Sequence, residues 1–270
     1  MTDPIERIAA ALERIAPPRP APADPMTHPA YVWRGDTLAA ARAFAPVPLE
    51  RIFGLATQKQ ALLDTLHRLA RGAAAHDVLL WGARGTGKSA LVKSCTGAVQ
   101  AEGANLALIE VIGAGLETMP ALFAVIAAVP RAFAIFIDDL GFDAASDARA
   151  LRSMLDGGAE ARPGNARLFV TSNRRHLVPR NLEEQENAIN PRDSVDDNLA
   201  LADRFGLSLG FHVIDQDTYL GIVSGYAQAL GLPFDAQEAV GWATRRGSRS
   251  GRVAWHYIVD LAGRNGKAVA

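Results

Sequence analysis

Residues 82–89 read Gly-Ala-Arg-Gly-Thr-Gly-Lys-Ser, a complete G-x-x-x-x-G-K-[ST] pattern. It follows an apolar run at 78–81 and opens a helical pattern that continues to residue 100, the context such a loop needs. The glycines let the backbone wrap tightly, so that successive N–H groups face an anion. The helix that starts there adds its positive dipole end. A chain with this loop between a buried strand and a helix folds as an α/β protein built around a phosphate site. Lys88 then supplies the charge at the β- and γ-phosphates, and Ser89 a hydroxyl to Mg2+.

A phosphate loop of this kind needs a second metal ligand. Residues 133–137 are Phe-Ala-Ile-Phe-Ile and run into Asp138 and Asp139. Two carboxylates at the tip of an apolar strand are costly unless they serve a cation or stay solvated. Asp138 is read as the Mg2+ ligand, directly or through water, and Asp139 as the group that orients an attacking water. Another apolar run, 168–171, ends in Ser172 and Asn173. The Asn173 amide is placed to reach a γ-phosphate or that water.

The wider pattern agrees. Apolar runs at 78–81, 106–111, 133–137, 168–171 and 207–214 alternate with helical patterns at 88–100, 120–129 and 145–155. Continuous apolar strands alternating with helices predict a parallel sheet covered on both faces. Thr57 and Gln60 have capping-box spacing ahead of Leu62, Leu63, Leu66 and Leu69, and Gly72 reads as the stop. From residue 217 the strands end, and 219–230, 236–245 and 252–262 read as helices. Upstream, Ile5, Ile8, Leu12 and Ile15 fall at helical spacing, and prolines and alanines crowd 17–48. The predicted organisation is an amphipathic helix at 1–16, a Pro/Ala-rich linker at 17–48, a nucleotide-binding domain at 49–215 and a helical lid at 216–270. Tyr31, Val32 and Trp33 interrupt the linker and suggest a docking point. The acid-rich stretch 183–197 reads as an exposed loop.

Lys and Arg number 28 against 29 Asp and Glu, which excludes a global electrostatic pull toward nucleic acid or anionic membrane. Arg174, Arg175, Arg180, Arg245, Arg246 and Arg249 leave room for a local basic patch. Cys95 is the single cysteine, which excludes an internal disulfide and points to a reducing compartment. It reads as a small buried hydrophobe. The N-terminus lacks the form of a signal peptide and no apolar run is long enough to span a bilayer, so cytoplasm without membrane insertion is expected.

Together these motifs resemble the AAA+ family of ATPases over residues 49–265. Asn173 matches sensor 1, Arg204 within Asp-Arg-Phe-Gly the arginine finger, and Arg252 at the start of a lid helix sensor 2. Ile52-Phe53-Gly54 matches the segment that touches adenine. The stretches WGARGTGKS, FIDDLGF, GGAEARPGNARLFVTSNRRHL, DRFGLSLGF and SGRVAWHYI are similar to a bacterial family of AAA+ ATPases of unassigned function. The resemblance implies an AAA+ fold with a small helical lid, ATP and Mg2+ as cofactors, and a homo-oligomer. Asp139 departs from the usual pattern, which has Glu there, so hydrolysis is expected to be slow without a partner.

The expected site is therefore Asp139, Asn173, Arg204 and Arg252 for catalysis and Ser89 and Asp138 for metal. Phe53, Gly54, Gly82, Arg84, Gly85, Thr86, Gly87, Lys88, Ser89 and Ala90 are the expected nucleotide contacts. The leading expectation is an ATPase that remodels a macromolecular client, a protein ahead of a nucleic acid. The alternative is a slow nucleotide switch that binds a partner in its ATP form, as helicase loaders do.

Overall fold

The computed structural model describes residues 21–112, 115–140, 145–157, 162–173 and 203–269, together with residues 3, 4 and 7. Among these, seven strands form one sheet: β1 (Ala30–Trp33), β2 (Leu38–Ala40), β3 (Val78–Gly82), β4 (Leu106–Val111), β5 (Ala132–Ile137), β6 (Ala166–Ser172) and β7 (Leu207–Phe211). Their spatial order is β2-β1-β4-β5-β6-β3-β7. All neighbours pair parallel except β1 with β2.

Period-two alternation explains why the central strands are apolar throughout. In β5, Phe133, Ile135 and Ile137 enter one core layer while Ala132, Ala134 and Phe136 enter the other. The first layer lies under α3 (Met119–Ile126) and α4 (Ala145–Leu155), through Met119, Leu122, Phe123, Ile126, Leu151 and Met154. The second lies under α1 (Ala56–Ala70) and α2 (Lys88–Ala101), through Leu62, Leu66, Leu69, Leu91, Val92, Cys95 and Val99. A strand buried on both faces has no polar positions to alternate.

Three further helices, α5 (Gln216–Ala229), α6 (Ala236–Arg245) and α7 (Gly251–Arg264), pack on one another around Tyr219, Val223, Ala239, Tyr257 and Ile258. Each starts at a side-chain cap: Asp215, Asp235 and Ser250 accept from the backbone N–H groups of Thr218, Glu238 and Val253. The fold is that expected, a mostly parallel sheet flanked by helices with a helical C-terminal region. No helix among the described residues is long and apolar enough to cross a membrane.

Two expectations are corrected. The stretch 17–48 is not a linker throughout. Tyr31 and Trp33 are fully enclosed, at 0% and 1% exposure, and β1 pairs with β4 in parallel. Prolines confine their effect to the flanks, because a strand at this margin of the sheet needs only the short run from Ala30 to Trp33 free of them. The Thr57–Gln60 capping box does not form. Helix α1 starts at Ala56, its N-cap is Leu55, and no side chain caps it. Thr57 is already inside the first turn, where its hydroxyl cannot serve as the cap. The amphipathic pattern at 5–15 and the acidic stretch 183–197 lie outside the described residues.

Candidate nucleotide-binding site

The loop after β3 is shaped by close packing. A Cβ on Gly82 would overlap the Phe211 carbonyl, and Ala83 N–H donates to that same carbonyl at 3.1 Å. Strand β7 therefore abuts the start of the loop, and only glycine fits there. The loop then enters α2 through Gly87 at φ 97°. Lys88 is almost enclosed, at 5% exposure. Its Nζ donates to Gly82 O (2.9 Å), Ala83 O (2.8 Å) and Asn173 Oδ1 (2.9 Å). Burial lowers its pKa from the ordinary lysine value, and the charges of Asp139 and Asp138 act to raise it.

Opposite the loop, the tip of β5 carries the two carboxylates. Ser89 Oγ and Thr171 Oγ1 each donate to Asp138 Oδ1 at 2.6 Å. Asp139 is the one non-glycine described residue with positive φ, at 55°, a conformation aspartate tolerates better than most residues. Its N–H donates to Thr171 Oγ1 at 2.8 Å, and Asn173 Nδ2 donates to its Oδ1. Asn173 thus links Lys88 on the loop to Asp139 on the strand.

These groups open on one cavity of about 370 Å3. Arg84, Gly85, Thr86, Gly87, Lys88, Ser89 and Ala90 line it, with Asp138, Asp139, Thr171 and Asn173. Phe53, Gly54 and Arg252 also reach it. The apolar end is walled by Ile52, Ile214, Ile222, Tyr226 and Trp255. Phe53 packs edge-on to Tyr226 with centroids 6.0 Å apart, and Tyr226 to Trp255 at 5.2 Å. A Cβ on Gly225 would overlap the Phe53 ring, so α5 takes that ring directly against its backbone. Helix α7 meets the phosphate loop: a Cβ on Gly85 would lie 3.2 Å from Ser250 Oγ.

The model of a family described as "Protein of unknown function (DUF815)" matches residues 26–265. The chain belongs to the DUF815 family. No curated protein matches it. Among solved structures, this DUF815 protein is similar to the RuvB Holliday junction branch migration motor of Thermotoga maritima. The TM-score is 0.53 at 18% identity, over 82% of this chain and 67% of that one. A single-substitution variant of the same RuvB gives 0.54 at 19%, over 82% and 67%. Domain III of the Thermotoga maritima replication initiation protein DnaA gives 0.49 at 15%, over 84% and 94%. At such identities the RuvB likeness shows the fold alone, the mostly parallel sheet flanked by helices with a helical C-terminal region that the motifs implied.

Whether the DUF815 site suits a nucleotide and a metal follows from its donor set. The Lys88 ammonium stands at the N-terminus of α2, where the helix dipole favours an anion, and a phosphate oxygen could replace one of the three oxygen acceptors it now holds. Ser89 Oγ and Asp138 Oδ1 converge within 2.6 Å, an all-oxygen pair that suits Mg2+, which keeps most of its own waters and uses few protein ligands.

Of the expected catalytic, metal and nucleotide-contact residues, Gly82 supplies its carbonyl to Lys88, and Arg204 is the one that lies away from the cavity. The Arg204 Nε donates to Asp156 Oδ1 at 2.7 Å. Arg204 precedes Leu207, which pairs with Val78 at the start of β3, whereas the phosphate loop follows Gly82 at its end. At about 3.3 Å per residue, that separates Arg204 from its own loop by the length of a five-residue strand. Arg245, Arg246 and Arg249 are exposed; Arg246 stacks on Trp242 at 4.6 Å. Arg174, Arg175 and Arg180 lie outside the described residues. The sequence reading missed Thr171, Tyr226 and Trp255. A hydroxyl inside an otherwise apolar strand, two residues before Asn173, was the available signal for Thr171. Nothing local marks Tyr226 or Trp255, which meet Phe53 only through the packing of α5 and α7.

Proposed function

We propose that this DUF815 protein binds ATP with Mg2+, hydrolyses it, and works as a homo-oligomer that remodels a macromolecular partner in the cytoplasm. The observation that carries the hydrolysis reading is the convergence of Lys88, Ser89, Asp138, Asp139 and Asn173 on one cavity. Ser89 and Asp138 would hold the metal, which when bound neutralises charge on the phosphate oxygens. Lys88 positions the β- and γ-phosphates. Asp139 accepts a proton from the attacking water, and Asn173 fixes the Asp139 carboxylate. Phe53, Tyr226 and Trp255 supply the apolar, aromatic end suited to a purine base. Arg252 enters from the first turn of α7, so the region 216–270 reads as a lid on a nucleotide-binding unit that spans 49–215 together with β1 and β2.

Oligomerisation is supported by the place of Arg204. A guanidinium at the start of β7 serves a neighbour's γ-phosphate better than its own, since Lys88, Ser89 and Asp138 already surround the local site. The test is turnover per subunit against protein concentration, with Mg2+ and ATP saturating. A rise through an assembly threshold supports the reading; a constant value down to monomer removes the shared site.

A second reading is favoured by one observation. The Asp139 carboxylate is short and already takes the Asn173 amide, which suits a slow switch that engages a partner in its ATP form. Partner capture by Asp139→Asn protein with ATP, followed by turnover with and without the captured partner, separates the two. A large stimulation supports the switch.

A further inference from the structure

Thr171 touches both carboxylate-bearing residues of the site through one oxygen. Its hydroxyl donates to Asp138 Oδ1 at 2.6 Å and accepts from the Asp139 N–H at 2.8 Å. It is 1% exposed and sits in β6, where Phe136 and Ile137 of β5 face Phe169 and Val170 in register. The next step of that register brings Thr171 beside Asp138. The following backbone is held as well: Leu140 N–H donates to Thr171 O at 2.8 Å.

We infer that Thr171 is a positioning residue that sets the direction of the Asp138 carboxylate for a divalent cation and holds Asp139 in its left-handed backbone conformation. The inference rests on the nucleotide-and-metal reading of the site but concerns a residue that reading does not use. A hydroxyl has one proton to give. Here that proton goes to Asp138, so the remaining lone pairs are free to accept the Asp139 N–H. The two bonds are therefore compatible and fix each other's sense. Without them Asp138 Oδ1 keeps only the Ser89 hydroxyl, a group that is itself expected to turn to the metal. The carboxylate would then lose its remaining orienting partner at the moment of cation binding. The Asp139 N–H would be left without an acceptor at a φ of 55°, and the residue would relax toward right-handed conformations.

The experiment measures affinity for a fluorescent ATP analogue across a Mg2+ titration, in wild type, Thr171→Val and Thr171→Ser. Valine keeps the shape and removes the hydroxyl; serine keeps the hydroxyl and removes the methyl. Groups that orient a metal ligand typically contribute about 10–100-fold in metal affinity. Thr171→Val should need at least about tenfold more Mg2+ for half its effect, with metal-free analogue affinity unchanged. Thr171→Ser should behave as wild type. Wild-type Mg2+ dependence retained by Thr171→Val would overturn the inference, and so would equal impairment of the serine variant, which would assign the effect to the methyl group. Should Thr171→Val not unfold cooperatively, Thr171→Cys takes its place, since a thiol fills similar volume but is a weak donor and acceptor; the same loss is expected. A wild type whose analogue affinity ignores Mg2+ altogether would instead contradict the metal site itself.

Discussion

The Arg204 guanidinium donates to the Asp156 carboxylate at 2.7 Å, joining the end of α4 to the segment that enters β7. Both side chains are well hydrated, at 32% and 49% exposure, so the pair contributes under about 1 kcal/mol to stability. On the proposed reading, Arg204 serves the site of a neighbouring subunit. Arg204→Ala should bind ATP as wild type does and lose on the order of 10^3 in turnover. Mixing it with Lys88→Ala should restore part of the activity, because one interface pairs an intact Arg204 with an intact phosphate loop. Turnover of the mixture against the sum of the separate proteins is the check, and a sum that is never exceeded assigns Arg204 a role within its own subunit.

The N-terminal strands set a second expectation. Tyr31, Trp33 and Leu38 are each almost completely buried, and full burial of such side chains contributes about 2–3 kcal/mol apiece. Against a net stability of about 5–15 kcal/mol for a domain, their loss is decisive. Deleting residues 1–45 should give a protein that is insoluble or lacks a cooperative melt. Deleting residues 1–20 leaves all seven strands in the chain and should leave the melt intact. Circular dichroism melts of the two deletions decide this.

The sequence made the centre of the molecule legible because local chemistry there is unambiguous. A glycine-rich loop with Lys88 and Ser89, and paired acids after an all-apolar strand, have few other uses. Alternating runs placed β3 to β7 within a residue or two at most ends, with β7 closing three residues earlier than the apolar run at 207–214 suggested. What stayed hidden depends on long-range packing. The run Ala30–Trp33 is a strand only because β4 offers its edge, and the surrounding prolines disguised it. The helix start at Ala56 was misread because a capping-box spacing recurs wherever Thr precedes Gln by three. The Thr171 contacts follow from the β5–β6 register, which no single segment encodes.

Cys95 offers a probe of the helix behind the phosphate loop. Burial pushes its thiol up from the ordinary value to about 12, so only roughly 10^-4 of it is thiolate at pH 8. Iodoacetamide should therefore label the native protein far more slowly than the urea-unfolded chain at that pH. Native labelling at the unfolded rate would show that α2 does not seal Cys95 under α1.

Lys88→Ala should lower ATP affinity by about 100-fold or more, the loss of a nearly buried cation that pairs with phosphate. Arg84 is exposed in the same loop and lacks the three backbone and side-chain acceptors that hold the Lys88 amine in place. Isothermal titration with ATP and Mg2+ measures this, and unchanged affinity would remove the phosphate loop from the site.

The most direct measurement is a paired one on Asp139→Asn: ATP affinity by titration and hydrolysis by single-turnover release of labelled phosphate. The amide is nearly isosteric but cannot take a proton from water. ATP binding should remain within about threefold of wild type, while the hydrolytic rate falls by about 10^2–10^4. Asp138→Asn should instead shift the Mg2+ requirement upward. A variant that binds ATP and releases phosphate at the wild-type rate would contradict the placement of hydrolysis at Asp139.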